Sequence, residues 1–100
     1  MARDSDMETQ TWQVRVRGRV QGVGYRYACV QQARVLGLAG WVRNRADGSV
    51  EALLQGPREQ LERMTAWMRQ DVPGARVSGM DVAEVNAAPA FSGFEQRPSA

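Results

Sequence analysis

The stretch WQVRVRGRVQGVGYRYACVQQARVLG, residues 12–37, changes its hydrophobic period near the middle. Over residues 12–18 apolar and polar side chains alternate, which predicts a strand with one apolar face. From Tyr25 onward the apolar residues recur at three- and four-residue intervals, which predicts an amphipathic helix that stops at Gly37. This segment therefore predicts a strand and a helix joined by a glycine-rich loop.

The rest of the chain contains further elements of both periods. Alternating patterns and the turn signal Asp47-Gly48 predict a hairpin of two strands, residues 39–44 and 49–55. Apolar residues at helical spacing predict a second helix over 58–71. A strand with an irregularity is predicted within 75–85, and a weak edge strand within 91–96.

The predicted order, β-α-β-β-α-β with a weak final strand, is typical of one architecture. It predicts an α+β fold, a ferredoxin-like βαββαβ sandwich in which two helices pack on one face of an antiparallel sheet. The strand that follows the second one is expected to lie between the first two. We expect a single domain over residues 12–97, a disordered N-terminal tail over 1–11 and a C-terminal tail over 98–100.

Composition limits the chemistry that the chain can perform. The 100 residues include 13 basic and 11 acidic side chains, no histidine and one cysteine. These counts exclude a Ser-His-Asp triad, a Cys-His dyad, a His-ligated metal and a thiolate metal cluster. The polar first residues do not resemble a signal peptide, and no run is long enough for a membrane span. We expect a cytoplasmic monomer that binds neither membrane nor metal.

The loop GRVQGVGYR, residues 18–26, has the features of an anion-binding turn. Glycines let successive amide N–H groups approach a ligand, and the helix N-terminus adds unpaired amides of its own. Arg26 stands in the first helical turn, where its charge opposes the helix dipole unless an anion is bound. The spacing leaves two interpretations open: a phosphate site, or a tight connection with a solvated Arg26.

A second motif, GWVRNRADGSVE at residues 40–51, makes the chain resemble a known family. The two stretches are similar to G-x-V-Q-G-V-x-[FY]-R and G-W-V-x-N-x-x-D-G-x-V, the paired motifs of acylphosphatases. The resemblance extends from residue 14 to about residue 85. It implies the ferredoxin-like fold and an enzyme that hydrolyses the carboxyl–phosphate bond of small acyl phosphates, without metal or cofactor.

The resemblance also implies roles for individual residues, carried over by position. Arg26 would be the cation that binds the phosphoryl group, and Asn44 would orient the attacking water. The phosphate-binding cradle would consist of Val20, Gln21, Gly22, Val23, Gly24 and Tyr25. The expected partner is a small acyl phosphate and no nucleic acid.

Two other functions stay open at this point. An RNA-binding module can share the same architecture, but the aromatic RNP signature is absent and the net charge is only +2. A sensing domain would bind phosphate without turnover. The tryptophans Trp12, Trp41 and Trp67 are expected to pack in or beside a core, and Cys29 is expected to be an inert buried thiol.

Overall fold

The computed structural model describes residues 8–100, in which strands and helices follow the predicted order. The elements are β1 Thr9–Arg19, α1 Tyr25–Val35, β2 Ala39–Asn44, β3 Val50–Pro57, α2 Arg58–Gln70, β4 Arg76–Glu84 and β5 Phe94–Gln96. The change of hydrophobic period at Tyr25 coincides with the first residue of α1. The local periods were therefore sufficient to place both helices within one residue of their observed ends.

The sheet has the strand order β4-β1-β3-β2-β5, so β3 lies between β1 and β2 as expected. Its four long strands pair antiparallel, and the ferredoxin-like α+β fold is confirmed. The short β5 pairs parallel with β2, which makes the sheet mixed and not wholly antiparallel. Residues 85–93 carry the chain from β4 at one edge to β5 at the other, and this crossing sets the direction of β5.

One hydrophobic core lies between the sheet and the two helices. Val14 and Val16 of β1 are fully buried in it, as the alternating pattern predicted. The apolar stripe of α2 supplies Leu61, Met64 and Met68, each with no exposed surface. Because both helices cover the same face, the other face of the sheet is left for polar side chains.

The predicted irregularity of β4 lies opposite the end of β1. Arg17 pairs with Gly79 while Gly18 pairs with Val77, so Ser78 is an extra residue on the β4 side. A bulge of this kind bends the pair and increases its twist. It lies opposite the last residues of β1, just before the chain enters the glycine-rich loop.

The ends of the domain differ from the expected tails. β1 begins at Thr9 because Thr9–Thr11 pair with Gln55–Pro57, and residues 1–7 of the predicted tail lie outside the described residues. Ala100 is hydrogen-bonded on both sides, since its N–H donates to Asn44 and its carbonyl accepts from Ala46. No helix within residues 8–100 is long and apolar enough to cross a membrane.

Candidate active site

A small pocket of about 130 Å³ lies where the β1–α1 loop meets the end of β2. Both sequence motifs contribute to its wall. Its lining residues are Val20, Gly22, Gly24, Tyr25, Arg26, Tyr27, Asn44 and Gln96. Arg26 lies in the first turn of α1, and Asn44 is the last residue of β2. Since α1 packs against β2, the fold places the two residues in one pocket.

The loop backbone is shaped by glycines and presents unpaired amides. Gly22 and Gly24 have φ angles of 76° and 78°, in the left-handed region that favours glycine. Within the part of the chain that the structure describes, no amide N–H of residues 20–24 donates a hydrogen bond. The first-turn amides of α1 are unpaired by the nature of a helix end. The loop therefore offers a concentrated set of donors to an anion.

Two predicted cradle residues do not line the pocket, namely Gln21 and Val23. Val23 is half-buried and packs against the hydrophobic core. The Gln21 side chain turns to the β2–β3 hairpin, where its Nε2 donates to Arg45 O at 2.8 Å and to Ser49 O at 2.9 Å. The motif gave no signal for this side-chain contact, since it depends on the tertiary position of the hairpin.

The side chain of Tyr25 is structural. Its ring is buried with 1% exposure, and its hydroxyl donates to the Met68 carbonyl at 2.8 Å, which ties α1 to α2. Burial, and to a lesser degree the neighbouring Cys29, raises the pKa of the Tyr25 phenol well above its ordinary value. Any contact between Tyr25 and an anion would involve the backbone amide.

Arg26 is a half-buried cation at the N-terminal end of α1. The first turn of α1 contains no acidic residue, so nothing within the helix offsets the positive end of its dipole. Among residues 8–100, no hydrogen-bond acceptor or carboxylate pairs with the Arg26 guanidinium. A planar guanidinium in this setting matches the paired oxygens of a phosphoryl group.

Asn44 ends β2 and presents an acceptor without a partner. Its Oδ1 is buried and receives no hydrogen bond from any of the described residues. Its backbone is held on both sides, through pairing with Val50 and through the bond from Ala100 N–H at 3.0 Å. Leaving a buried acceptor unsatisfied costs about 1–3 kcal/mol, so this atom is suited to a polar ligand such as water.

The open face of the sheet holds a charge cluster that sequence reasoning missed. The side chain of Glu51 is only 4% exposed and accepts hydrogen bonds from Arg43 Nε and Gln13 Nε2, both at 2.7 Å. Arg45 lies 3.4 Å and Arg15 lies 3.8 Å from the same carboxylate. Burial alone would raise the Glu51 pKa, but the hydrogen bonds and the charges of Arg43 and Arg45 together lower it.

This cluster explains the arginines on either side of Asn44. The register aligns Arg15 with Glu51 and Glu51 with Arg43 across three strands. The signal was therefore present in the sequence, as charges of opposite sign on adjacent strands, but only a known register makes it readable. Arg43 and Arg45 are both directed to the Glu51 carboxylate.

The tryptophans are buried or packed against the core, as expected. Trp12 and Trp67 pack against the core cluster. Trp41 is buried at 8% exposure on the other face of the sheet, beneath the guanidinium groups of Arg43 and Arg97 at 4.8 and 5.2 Å from its ring centre. Cys29 is buried, and burial raises the pKa of its thiol well above the ordinary value. Within residues 8–100, no cluster of three or more carboxylate or cysteine side chains could hold a metal ion.

Comparison with known proteins gives a consistent result across sequence and structure. The acylphosphatase family model matches residues 12–96. Acylphosphatase 1 of Ralstonia nicotianae is 62% identical over 87 residues, which cover 86% of this chain and 85% of that protein. An acylphosphatase of Cupriavidus metallidurans is 55% identical over 93 residues, 92% of this chain and 96% of its own. The crystal structure of an acylphosphatase from Bacillus subtilis superposes with a TM-score of 0.84 at 35% identity, covering 88% of this chain and 98% of that one.

Proposed function

The chain belongs to the acylphosphatase family and is a hydrolase that acts on acyl phosphates; from this premise we propose how its pocket performs the reaction. The loop amides and Arg26 bind the phosphoryl group, and Asn44 orients the water that attacks phosphorus. The substrate is a small acyl phosphate, and the products are a carboxylate and inorganic phosphate. No metal takes part in the proposed reaction.

The observation that carries this proposal is the meeting of complementary unpaired groups in one pocket. Arg26 and the loop amides are donors without acceptors among residues 8–100, and Asn44 Oδ1 is a buried acceptor without a donor. A phosphoryl group would accept from the first set, and a water would donate to the second. The two ligands together would supply partners of the right polarity for unpaired groups on both sides of the pocket.

The proposed reaction follows from this arrangement. A water that donates one hydrogen to Asn44 Oδ1 directs a lone pair at phosphorus, and a new P–O bond forms. The P–O bond to the acyl group breaks, and its electron pair leaves on the carboxylate. One hydrogen of the water stays on the new P–OH group, and the other passes as a proton to a phosphate oxygen. A carboxylate is weakly basic and needs no general acid on departure. Positioning and charge stabilisation then supply most of the catalysis, as is usual for phosphoryl transfer.

The size of the pocket supports a small substrate. Its volume of about 130 Å³ lies well below the roughly 300–1,000 Å³ that are common for sites of drug-sized ligands. It can enclose the phosphoryl end and leaves the acyl group at the mouth, beside the exposed Tyr27 and Gln96. The monomeric state, the cytoplasmic location and the lack of a nucleic-acid partner stay predictions from the sequence.

Two substitutions separate the proposed roles in an assay of benzoyl phosphate hydrolysis with EDTA present. Arg26→Ala is expected to weaken inhibition by inorganic phosphate and to lower kcat, because the cation contacts bound phosphate. Asn44→Ala is expected to lower kcat by about 100-fold, a typical loss for one well-placed polar group, with little change in phosphate inhibition.

Matched controls exist for both changes. Arg19 is exposed beside the loop and Asn86 is exposed beyond β4, and neither lines the pocket. Arg19→Ala and Asn86→Ala should therefore leave both kinetic constants near wild type. A folded Asn44→Ala variant with near-normal kcat would contradict the assignment, and a folded wild type that binds phosphate without turnover would favour the sensing function.

A further inference from the structure

Gln21 joins the glycine-rich loop to the hairpin that carries Asn44. Its half-buried side chain uses both hydrogens of Nε2, one on the carbonyl of Arg45 at 2.8 Å and one on that of Ser49 at 2.9 Å. These carbonyls lie on either side of the tight turn 46–48, which begins two residues after Asn44. The side chain therefore connects the loop that contributes one wall of the pocket with the hairpin that carries Asn44 in the other wall.

The hairpin does not need Gln21 to satisfy its own backbone. The Ser49 carbonyl already accepts from Arg45 N–H at 2.8 Å, and the Arg45 carbonyl accepts from Gly48 N–H at 3.1 Å. Asp47 Oδ1 closes the turn further by accepting from Ser49 N–H at 2.9 Å. Since each carbonyl has a backbone donor, the two bonds from Gln21 act as a connection between elements.

No other hydrogen bond makes this connection within residues 8–100. The loop amides of residues 20–24 donate to nothing, and the bond from Ala28 N–H to the Gly24 carbonyl lies inside the first turn of α1. The sheet ladder joins the two segments only as far as Val16, Val50 and Asn44. Beyond the ladder, the two bonds from Gln21 are the direct hydrogen bonds between the loop and the hairpin turn. A displacement of the hairpin would move Asn44 relative to the cradle.

We propose that Gln21 is a positioning residue, which sets the place of Asn44, and hence of the attacking water, relative to the bound phosphoryl group. This inference rests on the proposed function and refines the role of Gln21, which the resemblance assigned to the phosphate cradle. The Gln21 side chain acts on the rate through Asn44 and does not contact the phosphate. Misplacement of a reacting group by about 1 Å can cost about 100-fold in rate.

The test uses Gln21→Met, which keeps the length of the side chain and removes both donors. We expect kcat for benzoyl phosphate to fall by about 10- to 100-fold, with less than about a threefold change in inhibition by inorganic phosphate, since Arg26 and the amides are intact. Gln31→Met on the exposed side of α1 is the matched control and should keep the wild-type kcat. If Gln21→Met does not fold, as judged by thermal unfolding, Gln21→Asn takes its place, because it is one methylene too short to reach both carbonyls.

A double-mutant cycle with Asn44→Ala decides between positioning and general loosening. If Gln21 acts through Asn44, the double variant loses no more kcat than Asn44→Ala alone, because the group that Gln21 positions is already gone. A full additional loss in the double variant, or a parallel weakening of phosphate inhibition in the single one, would overturn this inference while leaving the proposed function intact. A normal kcat in Asn44→Ala alone would overturn the proposed function itself.

Discussion

Replacing Gly22 by alanine perturbs the proposed anion cradle through its backbone alone. Gly22 has a φ of +76°, and no atom lies within 4 Å of the position that a Cβ would take. The added methyl group therefore meets nothing, and the cost is that of an L-residue in the left-handed region, about 1–2 kcal/mol. For a domain of this size, each kcal/mol corresponds to a fall in Tm of about 4–8 °C.

Gly37 offers a matched control at the other end of α1. It has a φ of +70° and equally open space around its Cβ position, but it does not line the pocket. Gly37→Ala should lose about as much Tm as Gly22→Ala. The structure predicts a difference in activity only, because a change of backbone angles at Gly22 shifts the amide N–H groups of the pocket loop, whereas Gly37 lies outside the pocket.

The assay is kcat/KM for benzoyl phosphate together with the Tm of both variants. We expect Gly22→Ala to lose at least about tenfold in kcat/KM, equivalent to about 1.4 kcal/mol of transition-state stabilisation. Gly37→Ala should keep the wild-type value well below its Tm. Equal activity in the two variants, at equal Tm, would refute the reasoning that the loop conformation holds the anion.

Three further predictions concern the scaffold. Tyr25→Phe removes the donor of the buried Met68 carbonyl and should cost about 1–3 kcal/mol in thermal unfolding with kcat unchanged; a loss of kcat at an unchanged Tm would contradict a structural role. The pKa of Glu51 is lowered in the folded protein. Its contribution to stability is therefore present above the unfolded pKa and is lost as the pH falls through the lower folded pKa. In urea unfolding, Glu51→Gln should be less stable than the wild type at neutral pH and should lose less stability on acidification. If the free energy of unfolding of Glu51→Gln fell with pH as steeply as that of the wild type, the titration of Glu51 would not contribute to acid unfolding. The buried Cys29, whose thiol pKa is raised, should react with a thiol reagent only at the rate of unfolding, and rapid labelling of the native protein would contradict its burial.

Local sequence patterns were sufficient to predict the helices and the long strands. The direction of β5 and the composition of the pocket depend on contacts between residues that are distant in the sequence. The alternation over residues 12–18 and the helical spacing after Tyr25 depend only on neighbours, so both elements could be predicted. The parallel β5 has three residues, too few to carry a pattern that reveals its direction. The sequence and its family resemblance suggested Arg26 and Asn44, and the sheet topology accounts for their meeting in one pocket.

The features that escaped prediction are those that depend on register and on side-chain direction. Glu51 lies between Arg15 and Arg43 only because β3 pairs with the strands on both sides. Gln21 belongs to a motif for which the sequence predicted an anion-binding backbone. Nothing in the neighbouring residues indicates that its side chain reaches Arg45 and Ser49. Such contacts link residues that are distant in the sequence, and the spacing of apolar residues along the chain gives no information about them.

The most direct measurement of the central proposal is hydrolysis of benzoyl phosphate in water enriched in oxygen-18, with EDTA present. If a water held by Asn44 attacks phosphorus, the label enters inorganic phosphate and the benzoate carries none. Label in the benzoate would show that water attacks the carbonyl carbon instead. That result would contradict the roles proposed for the amide loop, for Arg26 and for Asn44 together.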